Sequence, residues 1–246
     1  MKIAYATDTG RVRADNQDYV GAFKNQLGVQ LAIVADGVGG EQAGDVASNM
    51  AVSHLGNAWQ QADVQTIADA KAWIVQAIQQ ENATILETAN RYRTLEGMAT
   101  TIVLAVIFPD QICFGNLGDS RAYMLRNAQL FQITEDHNLA QELVRAGSMT
   151  PDEASANGGR NVLTRQLGVD EATEVDLFDF ALQPGDEILL TTDGLVKHLD
   201  DQTIYETLTQ ATSMSNAVTA LIQKTNAAGG SDNVTVLLGY QESGEA

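Results

Sequence analysis

A single cysteine, Cys113, stands among 246 residues. One thiol excludes an internal disulfide and a thiolate zinc cage, and it fits a reducing cytoplasm, where the chain is expected to reside. Proline is almost as scarce, at 3 residues against 21 glycines, which excludes proline-rich linkers and predicts many tight turns. Basic residues are few: 14 Lys and Arg face 32 Asp and Glu, a formal net charge of -18. A surface that negative repels phosphate backbones and anionic lipid, so neither nucleic acid nor a membrane surface is expected as a partner. Long apolar runs are missing too. The stretch Ile102 to Phe108 is far too short to span a bilayer and reads as a buried strand. The opening residues reach Asp8 before the apolar core of a signal segment could form, so no targeting segment is expected. What is present, 44% hydrophobic residues, suffices for a real core. With no internal repeat, linker or low-complexity stretch, one domain is expected over 1–241, followed by a short tail at 242–246.

Periodicity predicts three opening strands, Lys2–Thr7, Asp18–Phe23 and Val29–Ala35, the last half-buried because Val29, Leu31 and Ile33 alternate. Ala43, Val46, Ala47, Met50, Ala51, His54, Leu55 and Ala58 form an apolar stripe at helical spacing, which places His54 in the core. A second long helix is predicted from Val64 to Arg91. Strands follow at Thr100–Phe108, Gln111–Asn116, Arg121–Arg126 and Gln129–Ile133, with hairpin turns at Pro109-Asp110 and Asn127-Ala128. Asn138–Ala146 reads as a helix stopped by Gly147, and Ser148 to Gly159 as an irregular excursion. Strands at Val175–Leu182 and Glu187–Thr192, helices at Asp201–Ala211 and Ser215–Ala227, and a final strand Val234–Tyr240 complete the chain. Short turns between strands imply mostly antiparallel pairing. The expected class is α+β: two sheets face to face with helix pairs outside, a four-layer α/β/β/α sandwich.

One pattern recurs four times. An aspartate beside a small or turn-forming residue sits at the end of an apolar strand: Asp36-Gly37, Asp119-Ser120, Asp193-Gly194 and, ahead of its strand, Asp232-Asn233. Any one of these alone reads as a turn or helix cap. Together, at strand ends that can converge on one rim, they would repel each other without a counterion. A hard divalent cation such as Mg²⁺ or Mn²⁺ resolves that cost with oxygen ligands, and a neighbouring Gly lets a backbone carbonyl approach as well. Two such ions can activate a water and hold phosphoryl oxygens. Near the start, Arg11 and Arg13 lie beside Asp8, Asp15 and Asp18. An arginine there is either a structural counterion or a phosphate clamp, and spacing alone does not separate the two.

The ordered series Arg13-x-x-Asn16-Gln17-Asp18, Ala35-Asp36-Gly37-Val38-Gly39-Gly40, Gly97-Met98-Ala99-Thr100-Thr101, Gly118-Asp119-Ser120-Arg121, Asp136-His137, Thr192-Asp193-Gly194-Leu195 and Gly229-Gly230-Ser231-Asp232-Asn233-Val234-Thr235-Val236 resembles the metal-dependent protein phosphatases of the PPM, or type 2C, family. The likeness spans nearly the whole chain and is nearest to the short bacterial members. It implies a central β-sandwich flanked by helices and hydrolysis of phosphoserine and phosphothreonine in proteins by a binuclear metal centre. It also implies two tightly bound Mn²⁺ or Mg²⁺ ions with a weaker third. By the same resemblance Asp36 bridges two metals, the Gly37 carbonyl binds the second, and Asp193 and Asp232 complete the first. Asp18 holds waters on the second, Asp119 with Asp193 binds the third, and Arg13 grips the substrate phosphate. A flap covers about 145–168. The implied partners are phosphorylated proteins and an opposing bacterial serine/threonine kinase, with the chain a monomer. The reading from another class is a non-catalytic metal- or phosphopeptide-binding module on the same fold.

Departures from the family pattern touch proton transfer and substrate preference. Glu41 stands where bacterial members usually carry His, Ala99 where the usual pattern has Gly, and the flap lacks a His-Pro near Asn157-Gly158. A helix N-terminus favours the Glu41 carboxylate, which works against its serving as an acid, so metal-bound water is the expected donor. Cys113 is not followed by the five residues and Arg of a cysteine phosphatase, since Asp119 stands there. Gly118-Asp119-Ser120 continues with Arg121, unlike the GDS opening of some lipases, and Gly37-Val38-Gly39-Gly40 lacks the Lys-Ser/Thr of a P-loop. His137 and His198 are too isolated for zinc, and Trp59 and Trp73 read as packing.

Overall fold

In a computed structural model, which describes residues 1–39, 43–155 and 158–242, eleven named strands form two sheets. The first sheet runs β1 (Lys2–Asp8), β11 (Val234–Tyr240), β10 (Glu187–Thr191), β7 (Arg121–Arg126), β8 (Gln129–Gln132). The second runs β2 (Asp18–Lys24), β3 (Gln30–Val38), β5 (Ile102–Ile107), β6 (Gln111–Leu117), β9 (Asp176–Ala181), with β4 (Ala99–Thr100) paired to β3. Every ladder between them is antiparallel. The fold is thus α+β, as the short turns imply. Asn127 and Ala128 both take positive φ, 51 and 59°, so the β7–β8 hairpin has the turn whose twist suits its strands.

Three cores separate four layers, and the alternation along each strand assigns its side chains to them. Leu31, Ile33 and Ala35 of β3, with Ile102, Leu104 and Val106 of β5, face helices α1 (Gly44–Gln60) and α2 (Ile67–Arg91). Ala32, Val34, Val103 and Ala105 point the other way, against Met124, Ile188, Leu190 and Leu237 of the opposing sheet. On the far side Tyr123, Leu189, Val236 and Leu238 pack against the short α5 (Asp193–Val196), α6 (Asp201–Gln210) and α7 (Met214–Ala227). Local chemistry sets the helix starts. Thr66 and Asp69 form a reciprocal capping box at α2, and Asp200 and Ser213 cap α6 and α7.

The structure corrects four expectations. β3 is buried on both faces, because a sheet lies on one side and helices on the other; alternation marked only which core each residue enters. His54 is not core: its side chain is 48% exposed, and Nδ1 lies 3.0 Å from Oε1 of the buried Glu81 on α2. The strand predicted from Thr100 breaks at Thr101, whose N–H donates to the Asp36 carbonyl at 2.9 Å instead of extending a ladder. The excursion after α3 (Leu139–Arg145) is partly regular, with a short α4 (Pro151–Ser155) and a 3-10 turn at Gly158–Asn161. Trp59 is fully buried and meets Trp73 edge-on at 4.8 Å, as packing residues should.

Candidate active site

The acids of the four strand ends meet where the two sheets share a rim. β10 ends at Thr191 and β11 begins at Val234, and the two run antiparallel with Thr191 opposite Val236. The acid after one strand, Asp193, therefore lies beside the acid before the other, Asp232. From the second sheet, Asp18 and Asp36 face each other across the β2–β3 ladder, and Asp119 follows β6. Arg13, Asp36, Gly37, Asp119, Asp193 and Asp232 all line one cleft of about 640 Å³, together with Asn161 and Leu163 from the segment expected as a flap. Asp18 lies buried behind it.

Hydroxyls and amides hold these groups. Thr192 and Thr235 both donate to Oδ2 of Asp18, at 2.8 and 2.6 Å. Thr100 donates to the Asp36 carbonyl at 2.9 Å, while the Asp36 N–H donates to the Thr101 hydroxyl at 3.1 Å. Asn233 staples the N-terminal loop to the rim: it donates to the Thr9 and Asp15 carbonyls and accepts from the Gln17 N–H, each at 2.9 Å. The Gly118 N–H donates to Nδ1 of buried His137 at 3.1 Å, so Nε2 carries the proton toward Asp176, 3.0 Å away. That bond fixes the backbone just ahead of Asp119. The Ser120 hydroxyl is fully buried against Thr101 and cannot act as a nucleophile. Cys113 is equally inert, its thiol pushed up to about 11 by burial.

The carboxyls crowd one another. Burial raises Asp36 well above the usual range, and the charges of Asp18, Asp193, Asp119 and Asp232 raise it further. Burial likewise lifts Asp18 to about 7 and Asp119 to about 8, and it raises Asp193 against the opposing pull of Lys197. Asp232 is the exception. Burial would raise it, but the hydrogen bond and charge of Lys197 and the charge of Arg13 outweigh that and hold it low. Arg13 forms a fork on Asp232, Nε to Oδ1 at 2.9 Å and Nη2 to Oδ2 at 3.1 Å. Here the structure shows the counterion role that spacing left open. Lys197 was missed by the sequence reading. Its ammonium bridges Oδ2 of Asp193 at 2.6 Å and Oδ2 of Asp232 at 2.7 Å. The available signal was its place four residues after Asp193. Glu41 lies outside the described residues, as do Gly40 and Asn157.

The donor set suits a hard divalent ion. The atoms it offers are carboxylate and carbonyl oxygens, and Oδ1 of both Asp18 and Asp193 is buried without a hydrogen-bond partner. Among the described residues no group of three or more Asp, Glu, His or Cys side chains is arranged to hold a metal ion; Lys197 and Arg13 occupy oxygens of Asp193 and Asp232. The Gly37 backbone is packed too tightly for any side chain: a Cβ there would lie 2.1 Å from the Gly44 carbonyl oxygen.

Known proteins resemble this chain over nearly its whole length. Residues 10–234 match the model of the protein phosphatase 2C family. The chain is 40% identical over 239 residues to serine/threonine phosphatase stp of Listeria monocytogenes, covering 97% of this chain and 95% of that protein. The solved structure of the S. agalactiae serine/threonine phosphatase superimposes with a TM-score of 0.94 at 37% identity, over 98% of this chain and 99% of that one. The Mycobacterium tuberculosis phosphatase PstP/Ppp gives 0.87 at 34% identity, over 98% and 99%.

Proposed function

The chain belongs to the protein phosphatase 2C family and is a serine/threonine protein phosphatase; from that premise we propose that it hydrolyses phosphoserine and phosphothreonine through a binuclear metal centre on the acidic rim. The observation that carries this reading is the convergence of Asp36, Gly37, Asp119, Asp193 and Asp232 on one cleft, with Asp18 immediately behind. Asp36, the Gly37 carbonyl, Asp193 and Asp232 would hold two ions, either Mn²⁺ or Mg²⁺, with Asp18 oriented toward waters on one of them by Thr192 and Thr235. Asp119 with Asp193 would serve a weaker third. When bound, such ions lower the pKa of a water and polarise the phosphoryl oxygens.

The chain's own groups do the rest. Asn233 holds the loop that carries Arg13 against the rim. Arg13, with its side chain 52% exposed, presents a planar fork that can bind the phosphate dianion beside Asp232. Asn161 and Leu163 face the cleft from the flap, where they would meet the substrate's peptide. The opposing activity would be a bacterial serine/threonine kinase. A non-catalytic binding module is disfavoured because the acids that the family resemblance implies as ligands, Asp36, Asp119, Asp193 and Asp232, line one cleft.

The test is turnover of a phosphothreonine peptide with Mn²⁺, with Mg²⁺ and after EDTA. Activity restored only by a divalent ion supports the reading, and undiminished activity in EDTA refutes it. Arg13→Ala is expected to raise KM for the peptide by about one to two powers of ten, as loss of a charge-assisted contact costs about 1.5–3 kcal/mol. Steady-state kinetics on the peptide and on p-nitrophenyl phosphate check this. Unchanged KM on both would leave Arg13 a counterion alone.

A further inference from the structure

We propose that Lys197 is a tethered cation that competes with a divalent ion for Asp193 and Asp232, so that metal loading requires the ammonium to be displaced. The inference rests on the metal reading of this rim and concerns how the rim is filled. The atoms in contention are specific. Nζ lies 2.6 Å from Oδ2 of Asp193 and 2.7 Å from Oδ2 of Asp232, distances at which an ammonium uses the lone pairs a metal ion would need. Both acids are mostly buried, each with a side chain 16% exposed, so water screens their attraction poorly and each gains from a nearby positive charge. Lys197 supplies that charge from the end of a four-carbon stem, at the residue that closes α5.

The lysine has somewhere to go. A recess of about 270 Å³ adjoins the cleft; three carboxylates, Asp119, Asp136 and Asp193, and two guanidiniums, Arg121 and Arg160, line it beside Lys197. Arg121 already forks onto Asp136, which leaves the Asp119 carboxylate as the acid a displaced ammonium would turn toward. On Asp232 the ammonium shares Oδ2 with Nη2 of Arg13, 3.1 Å away, whereas on Asp193 Lys197 is the cation in contact. The lysine therefore stabilises the rim at low ion concentration and weakens ion binding by the same interaction. Activity should then follow the divalent ion concentration over a higher range than the acids alone would set.

Isothermal titration calorimetry with Mn²⁺ on the full chain tests this, comparing the parent with Lys197→Met, which keeps length without charge, and Lys197→Arg, which keeps charge. The methionine variant is expected to bind its tightest ion about tenfold more strongly, and the arginine variant to stay near the parent. In EDTA the methionine variant should melt below the parent, and Mn²⁺ should raise its melting temperature by the larger step. Lys197→Gln gives the same comparison if the methionine variant fails to accumulate. Equal or weaker Mn²⁺ binding without the charge would overturn the competition and leave the metal reading standing. No Mn²⁺ binding by either protein would overturn both.

Discussion

Asp36→Asn is expected to lower phosphopeptide turnover by about a thousandfold or more while leaving the fold intact, since the amide keeps the shape but removes the charge that holds the ions. Asp36 is the group against which Asp18, Asp119, Asp193 and Asp232 all push. Removing its charge therefore relieves repulsion. In EDTA at pH 8 the variant should melt above the parent, even though it is inactive. The two effects have opposite signs, which separates loss of the site from loss of the fold. Turnover at saturating Mn²⁺ and a thermal melt on the same sample check both. Near-normal turnover would remove Asp36 from the metal centre.

Gly194→Ala is expected to be almost as damaging, for a steric reason. A Cβ at this position would lie 1.9 Å from the Asn233 carbonyl oxygen. The backbones that carry Asp193 and Asp232 touch there, and no flexible side chain can yield. Overpacking of this kind costs about 1–3 kcal/mol. Moving Asp232 and Asn233 outward also strains the Asn233 bonds to Thr9, Asp15 and Gln17, which hold the loop bearing Arg13. A shift of about 1 Å in such a constellation can cost roughly a hundredfold in rate. Thermal unfolding and kcat should therefore fall together, unlike in Asp36→Asn. A variant with both unchanged would mean that the two backbones can part without moving the acids.

The rim was legible in the sequence because its signal is local: each acid follows or precedes a strong strand signal and sits beside a turn residue. The acid ahead of its strand, Asp232, fits the same rule once β11 is seen to run antiparallel to β10. The layers were legible from strand and helix periodicity, and the chemistry came from residue order along the chain. What escaped the sequence depends on distance in space. Lys197 is an ordinary surface residue by type, and only α5 turns it toward Asp193 and Asp232. Asn233 reads as a turn residue until the loop from Thr9 to Gln17 is folded over it. His54 matched an apolar stripe by spacing, but its ring leaves the core to meet Glu81 on the neighbouring helix. The half-buried pattern of β3 was misleading because helical periodicity begins beyond it, and sequence alone does not place those helices over the second face.

The most direct measurement is the anomalous scattering of Mn²⁺ in crystals that retain phosphatase activity. Peaks are expected in contact with Asp36 and with Asp193 and Asp232, with the Lys197 ammonium turned away from both. Active crystals whose Mn²⁺ peaks touch none of these three carboxylates would contradict a metal centre on this rim.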